Sequence, residues 1–218
     1  MATLETKCKV VSCRSLAALE PDKRDILAKC FGRHGAEAII LASVPGAVLW
    51  TDDHVQALFA RNEHGVLRVW TQFVIGARAE SGAINIEAFF DASARLLGFG
   101  YFFTSVNPQI LRHAAILTDW KAGGWPFSQA LTIFEHQAVD LPVVMQLAAG
   151  FLQLLYLESL LPATQNAVTV QILQHITKRQ HSIAAIQGLR NALPRIFGLN
   201  IVGLVSAVQT IDAWLHSR

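Results

Sequence analysis

The stretch His34–Ile75, HGAEAIILASVPGAVLWTDDHVQALFARNEHGVLRVWTQFVI, decides how the N-terminal part of the chain is read. Ala36–Ser43 is apolar and alanine-rich, which predicts a helix. After the Pro45-Gly46 turn, Ala47–Trp50 is a short apolar run of the kind that forms a buried parallel strand. Thr51-Asp52-Asp53 then supplies helix N-cap chemistry. Val55, Leu58 and Phe59 form an apolar stripe, and Gly65 suits a C-cap. Val66–Ile75 returns to β-leaning residues and is expected as a strand. Upstream, Lys9–Cys13 leans to strand, and Pro21–Phe31 has Ile26, Leu27 and Cys30 at helical spacing, ended by Gly32 and Gly35. The resulting order, β-α-α-β-α-β, predicts a small α/β unit with parallel strands.

Working outward, the 218-residue chain is 52% hydrophobic and only 16% charged, which excludes a disordered polyelectrolyte. A formal net charge of +2 does not mark a strongly basic nucleic-acid binder, and nothing in the sequence points to DNA. Three cysteines, Cys8, Cys13 and Cys30, show no CxxC spacing, so neither a disulfide framework nor a zinc site is indicated. Residues 1–78 carry 10 Lys+Arg and 8 Asp+Glu, whereas the much longer 79–218 carries 8 and 8. The boundary falls in Gly76–Ala83, which reads as a linker. Beyond it the pattern is helix after helix: Asn85–Leu97, Pro108–Trp120, Phe127–His136, Pro142–Ser159, Ala163–Lys178, Ser182–Leu193 and Leu199–His216. Asn107-Pro108, Leu141-Pro142 and Leu161-Pro162 punctuate their starts. The fold expected is an α/β portion over 1–78 followed by an all-α portion over 79–218, helix-dominated overall.

A charge-poor helical region must hide much of its surface, in its own core, in a homo-oligomer or against a protein partner. Met1–Lys9 lacks the apolar centre of a signal peptide. The uncharged runs Leu141–Leu157 and Ile196–Ile211 are interrupted by Pro142, Gln146, Gln153, Asn200 and Gln209. They are expected as buried helices of a soluble, cytoplasmic protein, without membrane insertion.

The strongest chemical signal is Glu37 with Asp52 and Asp53. Ligands of open α/β sheets bind beyond the carboxyl ends of the strands. Carboxylates there, joined by one from a neighbouring helix, can hold Mg²⁺ or Mn²⁺. Such an ion can polarise a phosphodiester and activate water. Asp53 equally suits the cap of the helix that follows it. Other signals are weaker. Eight histidines are scattered without a metal spacing, Ser12, Ser15 and Ser43 lie in no GxSxG elbow, and Gly98-Phe99-Gly100 lacks a dinucleotide context. The aromatic run to Phe103 carries no basic residue for a base-stacking role, and Lys178–His181 reads as a solvated helix end.

The stretch His34–Ile75 resembles the second part of a PIN domain, an α/β nuclease family, mostly ribonucleases, using clustered acidic residues with Mg²⁺ or Mn²⁺. The resemblance matches Glu37 to the acid of the helix and Asp53 to the acid at the strand end. Asp52 would be its neighbour, and Thr71 would lie at the end of the last strand. It implies that Glu37, Asp52 and Asp53 hold the metal, that Glu37 and Asp53 are catalytic, and that RNA is the substrate. The chain departs from the family at its start. PIN domains open with a strand ending in an essential Asp, and no apolar strand ending in Asp precedes Cys8. Asp22 and Asp25 fall on a helix and do not replace it. This implies a piece of a longer protein or a decayed nuclease half. The alternative expectation is a non-catalytic helical interaction module with a structural PIN-like remnant.

Overall fold

The computed structural model describes residues 9, 11–101 and 105–218. Sequence expectations on Met1–Cys8, Val10 and Phe102–Thr104, among them the export-signal reading and the end of the aromatic run, lie outside the described residues. The chain divides into two compact units, Met1–Val74 and Ile75–Arg218. It is helix-dominated: the described residues hold eleven α-helices, one 3-10 turn and two short parallel strands.

In the first unit the order is α1 (Arg14–Ala17), α2 (Pro21–Ala42), β1 (Leu49–Trp50), α3 (His54–His64) and β2 (Arg68–Val69). α4 (Thr71–Glu80) begins within this unit. Gly32, at φ +69° and ψ 166°, breaks α2 into the two helices expected on either side of it. A side chain at that φ would be strained, so glycine sets the corner. β1 and β2 pair in parallel, Leu49 opposite Arg68 and Trp50 opposite Val69. The Leu49 N–H donates to Leu67 O at 2.8 Å and the Thr51 N–H to Val69 O at 3.0 Å. α3 is the crossover between them, and Gly65 ends it at φ +64° as expected. Ile39, Ala42, Leu49, Ala60 and Val66 form one small core; Leu16, Leu27, Ala36 and Ile40 form another. Phe31 and Phe59, with ring centroids 5.1 Å apart, pack against both.

Three expectations are corrected here. Val66–Ile75 is not one strand: only Arg68–Val69 pairs, and Thr71 opens α4. The cause is a distant cap. Asp52 Oδ1 accepts the Thr71 N–H at 2.8 Å and Oδ2 accepts the Thr71 hydroxyl at 2.6 Å, which stabilises a helix start at a β-prone sequence. Gly76, expected in a linker, is therefore inside α4, and only Ser81–Ile84 turns. Lys9 and Val11–Cys13, expected as a strand, pair with nothing in the sheet.

The second unit holds α5 (Ile86–Gly98), α6 (Pro108–Ile116), α7 (Phe127–Ala130), a 3-10 turn (Leu131–Phe134), α8 (Leu141–Leu155), α9 (Pro162–Ile176), α10 (Ser182–Phe197) and α11 (Ile201–His216). Asn85, Asn107 and Asn200 cap their helices, accepting the N–H groups of Ala88, Ile110 and Gly203. The expected helix Phe127–His136 is instead a short α-helix tightening into the 3-10 turn. α8 is the axis of the unit. Its buried Val144, Ala148, Phe151, Leu152 and Leu155 recur at helical spacing and meet α6 and α10. α6 approaches closely: a Cβ on Gly150 would lie 2.7 Å from Pro108 Cγ. α10 presents Ile186, Leu189, Leu193 and Phe197 to the same core. Among the described residues no helix is long and apolar enough to cross a membrane.

Candidate functional site

The three carboxylates singled out by sequence lie on α2 and on the turn between β1 and α3. Each has a task. Asp52, at the carboxyl end of β1, spends both oxygens on Thr71. Thr71 Oγ1 also accepts the Trp50 indole N–H at 3.1 Å, so Trp50, Asp52 and Thr71 form one chain of hydrogen bonds across the strand ends. Asp53 caps α3: its Oδ1 accepts the Gln56 N–H at 3.0 Å. Glu37, on α2, accepts the Arg33 Nε–H at 3.1 Å and lies 3.5 Å from His34 Nδ1. The hydrogen bond from Arg33 holds its carboxyl below the usual carboxylate range; burial opposes the shift and His34 adds to it.

Glu37 and the Asp pair are linked through neutral groups. The Thr51 hydroxyl donates to Gln56 Oε1 at 2.6 Å and accepts the Asp53 N–H at 3.1 Å. The buried Gln56 amide in turn donates to Gly35 O at 3.1 Å. This bridge fixes the β1–α3 turn against the α2 segment that carries Glu37.

A hard divalent cation needs converging oxygen donors that are free to turn toward it. Here two carboxylates accept backbone N–H groups and the third is paired with a guanidinium. Among the described residues no group of three or more His, Cys, Asp or Glu side chains is placed to hold a metal ion. The donor set does not fit Mg²⁺ or Mn²⁺ as arranged. Thr71, matched by resemblance to the end of a strand, is instead the first residue of α4.

Two polar groupings were not singled out by sequence. In the second unit, buried His113 on α6 lies between two acids of α5, with Nδ1 2.9 Å from Asp91 Oδ1 and Nε2 2.8 Å from Glu87 Oε2. The signal was the i, i+4 spacing of Glu87 and Asp91, which puts both on one helix face. In the first unit, His54, Arg61, Arg68 and Trp70 line one groove. The alternation Arg68-x-Trp70 carried that signal, because a strand sends alternate residues to one side. Compared with known proteins, the chain matches no family model, and neither a curated protein nor a solved structure matches it.

Proposed function

We propose that this protein is a non-catalytic interaction module: a structural PIN-like remnant joined to a helical unit that associates with other protein. The observation that carries this reading is the engagement of Glu37, Asp52 and Asp53. Groups that cap helices and neutralise a guanidinium serve the fold, and recruiting them to a metal would unmake two caps. The competing reading, a Mg²⁺- or Mn²⁺-dependent ribonuclease, draws on two of the same carboxylates standing beyond the carboxyl end of β1. Mn²⁺ calorimetry on the parent beside Glu37→Gln and Asp53→Asn separates them. The expected result is no binding that depends on either carboxylate, and no RNA cleavage with Mn²⁺ present. Saturable binding lost in both variants would overturn the proposal in favour of the nuclease.

For the helical unit, the partner we favour is a second copy of this chain. Leu199 is 98% and Val202 84% exposed, with Ile201 and Val205 beside them on the first turns of α11. From Phe197 to Ile211 the sequence has no charged residue. An apolar patch without charge meets no like-charge repulsion when it faces its own copy across a two-fold axis. Light scattering should report a dimer that Val202→Asp converts to monomer. A parent that is monomeric at about 100 μM would remove this partner, since useful homodimers have micromolar or tighter affinities.

A further inference from the structure

α3 and the β2 segment enclose a groove of about 430 Å³ in the first unit, away from the three carboxylates in its lining. α3 contributes His54 and Arg61 to it, and the β2 segment contributes Arg68 and Trp70. Arg68 Nη1 lies 3.3 Å from His54 Nδ1, and the Arg68 guanidinium carbon sits 5.3 Å from the centroid of the Trp70 ring. No Asp or Glu is among the described residues that line the groove, so two guanidinium groups share it without a carboxylate.

Two of its donors are unmet. Arg68 Nε and Trp70 Nε1 are buried and have no hydrogen-bond partner. Folded proteins pair nearly all such groups with protein or ordered water, so the residues under this groove are rich in donors and short of acceptors. The rest of the lining is apolar. Leu58 and Leu67, both exposed, Leu67 by 71%, add aliphatic surface to the same lining.

We propose that this groove binds a phosphomonoester carried on a flat ring system, the chemistry of a nucleoside monophosphate, free or at the end of a nucleic-acid strand. Guanidinium groups match phosphate oxygens in geometry and charge, and two of them balance a dianion. Leu58 and Leu67 cover the ring. The proposal is independent of the non-catalytic reading, because none of the three carboxylates takes part.

The test follows the Trp70 indole N–H by NMR, assigned with Trp70→Phe, while AMP, UMP, adenosine, inorganic phosphate and a short oligonucleotide with and without a 5′-phosphate are titrated. AMP or UMP should move the resonance and saturate at or below about 1 mM, with adenosine and inorganic phosphate at least tenfold weaker. Tighter binding of the 5′-phosphorylated oligonucleotide than of the mononucleotides assigns the strand end, and the reverse order assigns the free nucleotide. Arg61→Ala, at an exposed position, should weaken binding about tenfold with the parent's Tm unchanged; Arg68→Ala should abolish it. A resonance that stays fixed with every phosphate probe, adenosine binding as tightly as AMP, or an Arg61→Ala protein that binds like the parent would overturn the proposal. Inorganic phosphate binding as tightly as AMP would likewise remove the nucleotide.

Discussion

Replacing Asp52 discriminates a cap from a metal ligand by the sign of the effect on stability. As a cap, Asp52 gives Thr71 two hydrogen bonds, at 2.8 Å to the N–H and 2.6 Å to the hydroxyl. Bonds to a charged acceptor contribute about 1.5–3 kcal/mol each, and losing an N-cap costs about 0.5–2 kcal/mol. The two overlap, because both describe the same α4 terminus, so Asp52→Ala should cost about 2–3 kcal/mol. Asp52→Asn keeps one acceptor for the N–H and should cost about 1 kcal/mol. If the first unit melts by itself, about 2 kcal/mol lowers its Tm by roughly 8–16 °C, and about half of that if the whole chain melts together. A cluster of carboxylates awaiting a cation behaves in the opposite way. Its like charges repel, so removing one stabilises the metal-free protein, and Mn²⁺ raises the parent Tm. The assay is urea and thermal denaturation of parent, Asp52→Asn and Asp52→Ala, each with and without Mn²⁺. The expected order is parent above Asn above Ala, unchanged by the metal. A metal-free Asp52→Asn protein more stable than the parent would refute the capping argument.

Three other outcomes are expected. Gly98→Ala should cost about 1–3 kcal/mol, because its Cβ would stand 2.5 Å from Pro126 Cβ and 2.9 Å from the Trp125 indole; an unshifted Tm would contradict that packing. Phe151→Ala, which empties a buried site between Trp120 and Phe127, should cost about 3–5 kcal/mol, read as the urea midpoint; a loss under 1 kcal/mol would mean the core closes around the gap. Burial opposes ionisation of Glu135, and hydrogen bonds from Lys178 and His175 outweigh it, so its carboxyl is held below the usual range. A depressed folded value stabilises above the unfolded value of about 4.3 and is lost as pH falls through the folded one. Glu135→Gln should therefore narrow the gap to the parent below pH 4, and a gap constant from pH 7 to pH 3 would contradict the assignment.

The helix starts of the second unit were legible because their signals are local. Asn107-Pro108 and Leu161-Pro162 mark starts within two residues, and the i, i+4 stripe of α8 lies in one window. The start of α4 was not legible. VLRVWTQFVI is rich in β-branched and aromatic residues, and what turns Thr71 into a helix terminus is a carboxylate 19 residues earlier. A pattern read along the chain cannot register an acceptor that arrives through a strand pair. The same holds for the acids themselves. Their spacing is equally suited to cations and to N–H groups, and only the folded turn decides which lies within reach. The pairing of Glu37 with Arg33 and His34 was readable, since i, i+4 and i, i+3 partners share a helix face.

The corner built by Thr51, Gln56 and Gly35 has a consequence for how this protein can drift. Its hold on α2 runs through an amide and a main-chain carbonyl. It also requires a bare backbone, because a Cβ on Gly35 would lie 3.1 Å from Gln56 Nε2 and 2.9 Å from Phe31 Cβ. Selection on such a corner would guard Gly35 and Gln56 and let position 53 wander among Asp, Asn, Ser and Thr, all competent caps. A metal centre would impose the reverse, an immovable acid beside a replaceable glutamine. A library saturated at positions 35, 53 and 56 and sorted for folding would register that inversion directly, as tolerance at the acid and intolerance at its neutral neighbours.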